Sequence, residues 1–264
     1  MLITNDNYYS IETNKEYLSV SQFKDFAGTI GIKGCESKAL AKINGEWVDK
    51  TTTAMLIGAY IDAHFSGTLN IFKAKNPEIF KKDGELKAEF IKANDVIKRI
   101  ERDEYFMQFL QGDNQNIFTG ELFGAKWKCK LDFINQYAIS DLKVMANIRD
   151  MFWIKDFGHV SWVTYWGYDI QAAVYQRIVE INTNKRLPFF IACASKEEYP
   201  DIEILGFTQQ DLDNVLYQLP EKVKRILDIK EGLIEPIRCE TCDYCRHTKV
   251  LTQPIHFNDI RSDI

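Results

Sequence analysis

An α/β protein is predicted from three observations. Apolar residues recur at helical spacing around 53–65, 86–110 and 168–182. Between these segments lie short runs rich in β-branched and aromatic residues, at 116–122, 126–143, 187–195 and 201–207, bounded by Gly, Pro, Asn and Asp. The two kinds of segment follow one another without a repeat, a low-complexity linker or a composition break, so residues 1–264 read as one domain.

Composition narrows the function classes. The chain has 17 Phe and 12 Tyr, enough for an ordered core, and a net charge of −5. That balance argues against a protein that simply coats nucleic acid, but it leaves room for an enzyme with a local basic groove. The first residues lack a basic segment followed by an apolar one, and no apolar run reaches 18 residues. A soluble, cytoplasmic protein without membrane association is therefore expected. Six cysteines in a reducing compartment suggest metal rather than disulfides.

In order along the chain, residues 1–18 form an irregular or short-strand lead-in. Ser19 or Ser21 caps a short helix with Phe23 and Phe26 on its apolar side. The GTIGIKG stretch at 28–34 is a flexible connection, and Cys35-Glu36 opens a helix that stops at Asn44-Gly45. Thr51–Thr53 offers caps for the next helix, whose buried stripe is Ala54, Ile57, Ile61 and Phe65. Gly58 and Asp62 share a face at the edge of that stripe. A glycine inside a helix costs about 1 kcal/mol relative to alanine, so Gly58 is expected to permit a close approach. Asp62 is either a solvated edge residue or a ligand.

Residues 66–85 read as loop, and 86–110 as one long charged helix with Leu86, Phe90, Ala93, Ile97 and Ile100 inward. A strand at 116–122 would bring Glu121 near the acids of the following hairpin. Residues 144–165 are unassigned; Arg149, Lys155 and His159 there contact either substrate or solvent. The helix at 168–182 buries Ile170, Val174, Ile178 and Ile181, while Tyr168, Gln171 and Tyr175 share another face, ordinarily just surface. Strands at 187–195 and 201–207 pair across Tyr199-Pro200-Asp201. Thr208 caps a final helix, interrupted near Pro220, that runs to Lys230.

The chemistry centres on Lys126–Lys143, two strands joined by a tight turn. Strand side chains alternate faces, so Asp141 and Lys143 project to one side. Asp132 joins them if an even number of residues closes the turn. With Asn135-Gln136 as the turn, Asp132 lies diagonal to Asp141 at roughly 7–8 Å, within reach of one hard divalent cation. An odd turn would separate them. An ordinary cross-strand ion pair between Asp132 and Lys143 is the competing reading.

The tail holds Cys239, Cys242 and Cys245 at C-x2-C-x2-C spacing, followed by His247. That run occurs at cubane iron–sulfur clusters. Cys129 and Cys193 lie within strands and are assigned to the core, which leaves Cys35 as the candidate fourth ligand. Zinc, held by the tail thiolates plus His247 or Cys35, is the alternative.

Together these residues resemble the PD-(D/E)XK nuclease superfamily, in the RecB/RecE-like branch of phage-type exonucleases. The resemblance rests on Asp132, on Asp141-Leu142-Lys143, on Gln171 to Tyr175 as a Q-x-x-x-Y helix, and on Gly58 to Asp62, where Asp replaces the His of a G-x-x-x-H motif. SVSQFKDF near the N-terminus and CESKALAKINGEW extend it over nearly the whole chain. The resemblance implies a restriction-endonuclease-like core, a central mixed sheet flanked by helices.

It further implies a DNA exonuclease dependent on Mg²⁺ or Mn²⁺. Asp132, Asp141, the Leu142 carbonyl and Asp62 would hold the ion, with Glu121 a further candidate. Lys143 would serve the attacking water; Gln171, Tyr175 and Tyr168 would support the site or the DNA. It implies a [4Fe–4S] cluster on Cys35, Cys239, Cys242 and Cys245, duplex DNA ends as substrate, a RecT-like annealing partner, and a phage or prophage setting in a bacterial host. A catalytically silent DNA-binding or assembly module on the same scaffold is the second hypothesis.

Overall fold

In a computed structural model, which describes residues 2–260, a five-stranded sheet runs through the molecule. Ahead of it come helices α1 (Ile11–Glu16), α2 (Val20–Ala27), α3 (Glu36–Asn44), α4 (Thr53–Phe65), α5 (Leu69–Lys75), α6 (Ala88–Glu101) and α7 (Glu104–Gln108). Strands β1 (Asp113–Leu122), β2 (Ala125–Ile134) and β3 (Ile139–Met145) form an antiparallel meander. A separate hairpin of β4 (Met151–Ile154) and β5 (Gly158–Ser161) follows, then α8 (Trp162–Tyr165) and α9 (Tyr168–Thr183). These lead to β6 (Phe189–Ser195), which pairs in parallel with β3, and to β7 (Ile202–Gly206), antiparallel to β6. The sheet order β1-β2-β3-β6-β7 is thus mixed. Helices α10 (Gln209–Tyr217), α11 (Pro220–Lys230) and α12 (Asp243–His247) follow.

Two apolar cores form on this sheet. The larger joins Phe23, Trp127, Cys129, Val174, Ile178 and Val223 from α2, β2, α9 and α11. The smaller joins Tyr60, Ile61, Phe90, Ile97, Leu142 and Ala192 from α4, α6, β3 and β6. Residues of α9 and α4 thus reach the sheet from separate cores. The helix caps follow the expected chemistry: Ser19 accepts from Gln22 N, Thr52 from Met55 N, and Thr208 and Asp211 form a reciprocal capping box.

Several expectations change. Residues 66–85 are not all loop: Leu69–Lys75 is helical, with Leu69 and Phe72 packed on the smaller core and Asn76-Pro77 ending it. The long helix is two, because Asp103 turns its carboxylate onto Phe106 N and caps a new start. Ala54 is exposed, and the buried residues of α4 are Tyr60, Ile61 and Ala63. Beyond its own helix backbone and chain neighbours, no atom of the described residues lies within 4 Å of where a Gly58 side chain would begin, so Gly58 faces open space rather than a close neighbour. Ile181 is 43% exposed, at the sheet edge beside Gly120. Arg149 is engaged with Asp201 and Glu203, while Lys155 and His159 are exposed on the extra hairpin.

The 28–34 stretch is a compact loop, not a slack tether. Gly28 takes φ +71 and any side chain there would strike the Ile32 carbonyl. Thr29 N donates to Ile32 O, its hydroxyl donates to Tyr165 O at 2.6 Å, and Cys35 N donates back to Asp25 O. The fold-back returns Cys35 to the end of α2.

Candidate active site

The β2–β3 ladder is short. Phe133 pairs with Ser140 and Ile134 with Ile139, so the turn is the four residues Asn135 to Ala138. Asn135 Oδ1 organises it by accepting from Tyr137 N and Ala138 N. The count is even, as the shared face requires. It is two residues longer than an Asn135-Gln136 turn, which moves Asp132 from a diagonal position to directly across from Asp141. There the Asp132 carboxylate accepts from Leu142 N at 3.0 Å, taking a main-chain donor for itself. On its other side Asp132 opposes Gln115, because Asn114 pairs with Phe133 and Asn116 with Leu131. Gln115 sits at φ +54, a left-handed conformation that side-chain-bearing residues seldom adopt.

Four elements converge on this point. Lys143 Nζ contacts the Asp141 carboxylate, lies 3.5 Å from the Leu142 carbonyl and sits over the Tyr168 ring at 5.2 Å. Gln171, from α9, donates to Asp141 Oδ1 at 2.6 Å. Asp62, from α4, accepts a long 3.5 Å contact from Gln115 Nε2, while its other oxygen is buried without a hydrogen-bond partner among the described residues. Tyr175 lines the same cavity one turn beyond Gln171. So Asp62, Asp132, Asp141, Lys143 and Gln171 are together, with Tyr168 and Tyr175 beside them.

Glu121 is not. It pairs with Lys126 at the opposite end of the β1–β2 hairpin and is exposed. Six residues along β2 separate Lys126 from Asp132, about 20 Å at the strand rise. The expectation that Glu121 lies near the acids is corrected: the strand carries it away from them.

Charge and burial pull against one another here. Burial holds the Asp132 carboxyl well above the ordinary carboxylate range, and the neighbouring Asp141 adds to this. Asp62 is raised by the same burial, with Lys143 working against it. Burial disfavours the Lys143 ammonium, but Asp141 and Asp132 outweigh it and keep the proton on. The protein thus gathers three carboxyl groups around one lysine, at a cost that burial makes plain. Three carboxylates, one with an orphaned buried oxygen, are the hard donor set that Mg²⁺ or Mn²⁺ takes. The residues fit such an ion.

Two hollows meet at the acids. One, of about 490 Å³, runs past Tyr8, Tyr9, Lys128, Lys130 and Lys42. The other, of about 700 Å³, runs past Lys24, Gly58, Phe152, Trp166 and Lys196. Ser21, Asp62, Asp132, Lys143 and Gln171 line both. Lys128, Lys130 and Asp132 alternate along β2 with the core residues Trp127, Cys129 and Leu131; Lys128 is itself buried, and Lys130 is the half-buried cation nearer the acids. Lys128 donates to the Tyr8 carbonyl and to Asn14 Oδ1 at 2.7 Å, and burial lowers its pKa to about 8. Lys130 stands over the rings of Tyr8 and Tyr9. Burial, reinforced by the Lys143 charge, also lowers Lys24 to about 8. Sequence reasoning missed these residues. The period-2 alternation of KWKCKLD carried the signal for the two β2 lysines; nothing in the sequence marked Gln115 or Lys24.

The four cysteines Cys35, Cys239, Cys242 and Cys245 also converge, with all sulfurs within 4.8 Å of one another. His247 stands apart from that set and packs on Trp47 at 5.7 Å. Cys129 and Cys193 are fully buried in the larger core, as expected.

A mixed sheet whose neighbouring strands bring one Asp against an Asp-x-Lys, braced by a helical Gln, defines the class of PD-(D/E)XK-like proteins. The model of the PDDEXK-like domain of unknown function (DUF3799) matches residues 19–248, and the chain belongs to that family. A solved structure from Eubacterium rectale, described as a "putative exonuclease", is 54% identical over the full length of both chains, with a TM-score of 0.97. No curated protein matches the sequence. The family and this neighbour support a nuclease.

Proposed function

We propose that this chain is a metal-dependent DNA exonuclease acting at duplex ends. The observation that carries the reading is the meeting of Asp62, Asp132, Asp141 and Lys143 where two hollows join. A solvent-reached passage with acids at its waist and lysines along one arm suits a phosphodiester strand drawn past a hydrolytic centre.

Asp62, Asp132 and Asp141 would hold Mg²⁺ or Mn²⁺, with the Leu142 carbonyl as a further oxygen. When bound, such an ion polarises a phosphate and acidifies water. Lys143 keeps its proton beside Asp141, so it acts here as a fixed charge that orients water and offsets the charge developing on the phosphate. Gln171 fixes one Asp141 oxygen through its 2.6 Å hydrogen bond and leaves the other toward Lys143. Asp132 is oriented by Leu142 N. Lys130 supplies positive charge for phosphates approaching along β2, while the buried Lys128 holds the Tyr8 carbonyl and Asn14 beneath it, and Tyr9, 71% exposed, offers a ring face to a base.

The resemblance to RecB/RecE-like enzymes supports a recombination setting, in a phage or prophage, with the exposed strand passed to a RecT-like annealing protein. The lysine retained against both strand aspartates argues against a silent module. The test is end-labelled linear duplex beside closed circular DNA of the same sequence, with Mg²⁺. Loss of the linear form with the circle intact supports an exonuclease. Cutting of both at equal rates defeats the end-specific reading, and cutting of neither defeats the enzyme.

A further inference from the structure

We propose that the four-cysteine centre is a single tetrahedral zinc site rather than an iron–sulfur cluster, and that it clamps the tail to one wall of the catalytic cavity. The sulfurs would hold that wall whatever chemistry the cavity performs, and metal content alone reads them out.

The spacing of the tail cysteines admits a cubane. The distances do not. Four thiolates about 2.3 Å from one zinc stand about 3.8 Å from each other. Thiolates on the four irons of a cubane sit on separate corners with the irons and sulfides between them, farther apart than four ligands of one ion, and a two-iron cluster likewise spreads its two pairs. Here Cys35 Sγ and Cys245 Sγ are 3.6 Å apart, Cys239 Sγ and Cys245 Sγ 3.9 Å, and no pair exceeds 4.8 Å. That tetrahedron closes around one ion and leaves no room for a cluster with its own sulfides.

The surrounding polar groups suit thiolates. Cys239 Sγ accepts from Cys242 N at 3.3 Å and from the Thr241 hydroxyl at 3.7 Å. Cys242 Sγ accepts from Cys245 N at 3.5 Å as the N-cap of α12. Such donors spread the charge of sulfur ligands and hold them in place. Arg238 donates to the Cys245 carbonyl at 2.9 Å and brings a positive charge close to a centre of net negative charge. With four protein sulfurs no position is open for substrate, which marks the site as structural. Zinc also stands above iron(II) in affinity for such a donor set.

The clamp has a definite target. Cys35 is the N-cap of α3, and the same helix places Ala39, Lys42 and Ile43 on the cavity. Trp47, just beyond α3 and also on the cavity, packs edge-on against Tyr244 of α12 at 5.5 Å. Glu36 grips Arg225 with two hydrogen bonds and accepts from Ile237 N at 2.7 Å, so the tail reaches the sulfurs already aligned.

The experiment is metal and acid-labile sulfide analysis of the untagged full chain, prepared anaerobically from cells supplied with both iron and zinc. One zinc per chain, no sulfide and no visible colour are expected. Iron, with or without sulfide, in place of zinc overturns the proposal. So does a folded chain that holds neither metal and in which Cys35, Cys239, Cys242 and Cys245 all react as free thiols. Cys35→Ser should lose the zinc or hold it far more weakly. Asp141→Ala should keep it in full, and loss from both variants alike would also overturn the assignment.

Discussion

Replacing Asp132 with Asn should stabilise the metal-free protein while abolishing hydrolysis. In the wild type this carboxylate is buried across from Asp141, and Asn keeps the acceptor for Leu142 N while removing the charge. Like charges about 5 Å apart, the spacing of directly opposed strand residues, repel by about 3 kcal/mol at an effective dielectric of 20. Lys143 beside them offsets part of that, and partial protonation of Asp132 relieves more, leaving a net gain of about 1–2 kcal/mol from the substitution. For a chain of this size that raises Tm by about 2–4 °C. Thermal denaturation in EDTA reads the shift directly. The pH dependence has a fixed sign. Asp132 binds its proton more tightly folded than unfolded, so its contribution to stability is present below the ordinary carboxylate range. That contribution is lost as pH rises through its raised folded value. Asn should flatten that decline. Added Mg²⁺ should then stabilise the wild type and leave the variant unmoved. A variant that is less stable than wild type in EDTA would refute the reasoning, since Asp132 would then be an ordinary paired carboxylate.

Other substitutions separate the parts of the site. Lys143→Ala should lower hydrolysis by about 10²–10³-fold, the scale of losing one group that stabilises transition-state charge, and leave DNA binding nearly intact. A loss confined to binding would contradict that role. Gln171→Leu removes the 2.6 Å bond that fixes Asp141, so kcat should fall by about tenfold and stability by about 1 kcal/mol; unchanged kcat would show that Asp141 needs no brace. Lys130→Ala should weaken binding of any DNA sequence and reduce the salt slope by about 1, read from binding titrations at several ionic strengths. Glu121→Ala, at the far end of its hairpin, should change neither activity nor metal dependence, and a large loss would restore Glu121 to the site.

The sequence carried much of this arrangement because strand alternation is a strict rule. Asp141 and Lys143 had to share a face, and an even turn had to bring Asp132 to it. The turn length itself was hidden: Asn135 accepts from two later amides and draws Tyr137 and Ala138 into a four-residue loop, which no hydrophobic pattern reveals. Helix α5 was missed for a related reason. Its seven residues show too few turns for a period, and its Leu69 and Phe72 are held by tertiary packing. Asp62 could be placed at the edge of an apolar stripe, but only the fold brings α4 over the strand acids. Gln115 depends on a left-handed backbone inside a strand, which residue type does not announce. Cys35 was reachable by elimination among six cysteines, whereas the 3.6 Å approach to Cys245 depends on the fold-back of the glycine loop.

The most direct measurement is hydrolysis of linear duplex DNA by wild type and Asp141→Ala, each assayed with Mg²⁺ and with EDTA. The proposed site requires degradation only by the wild type with Mg²⁺, with the variant folded to the same extent by circular dichroism. Equal degradation by both proteins, or none by the wild type with metal present, would contradict it.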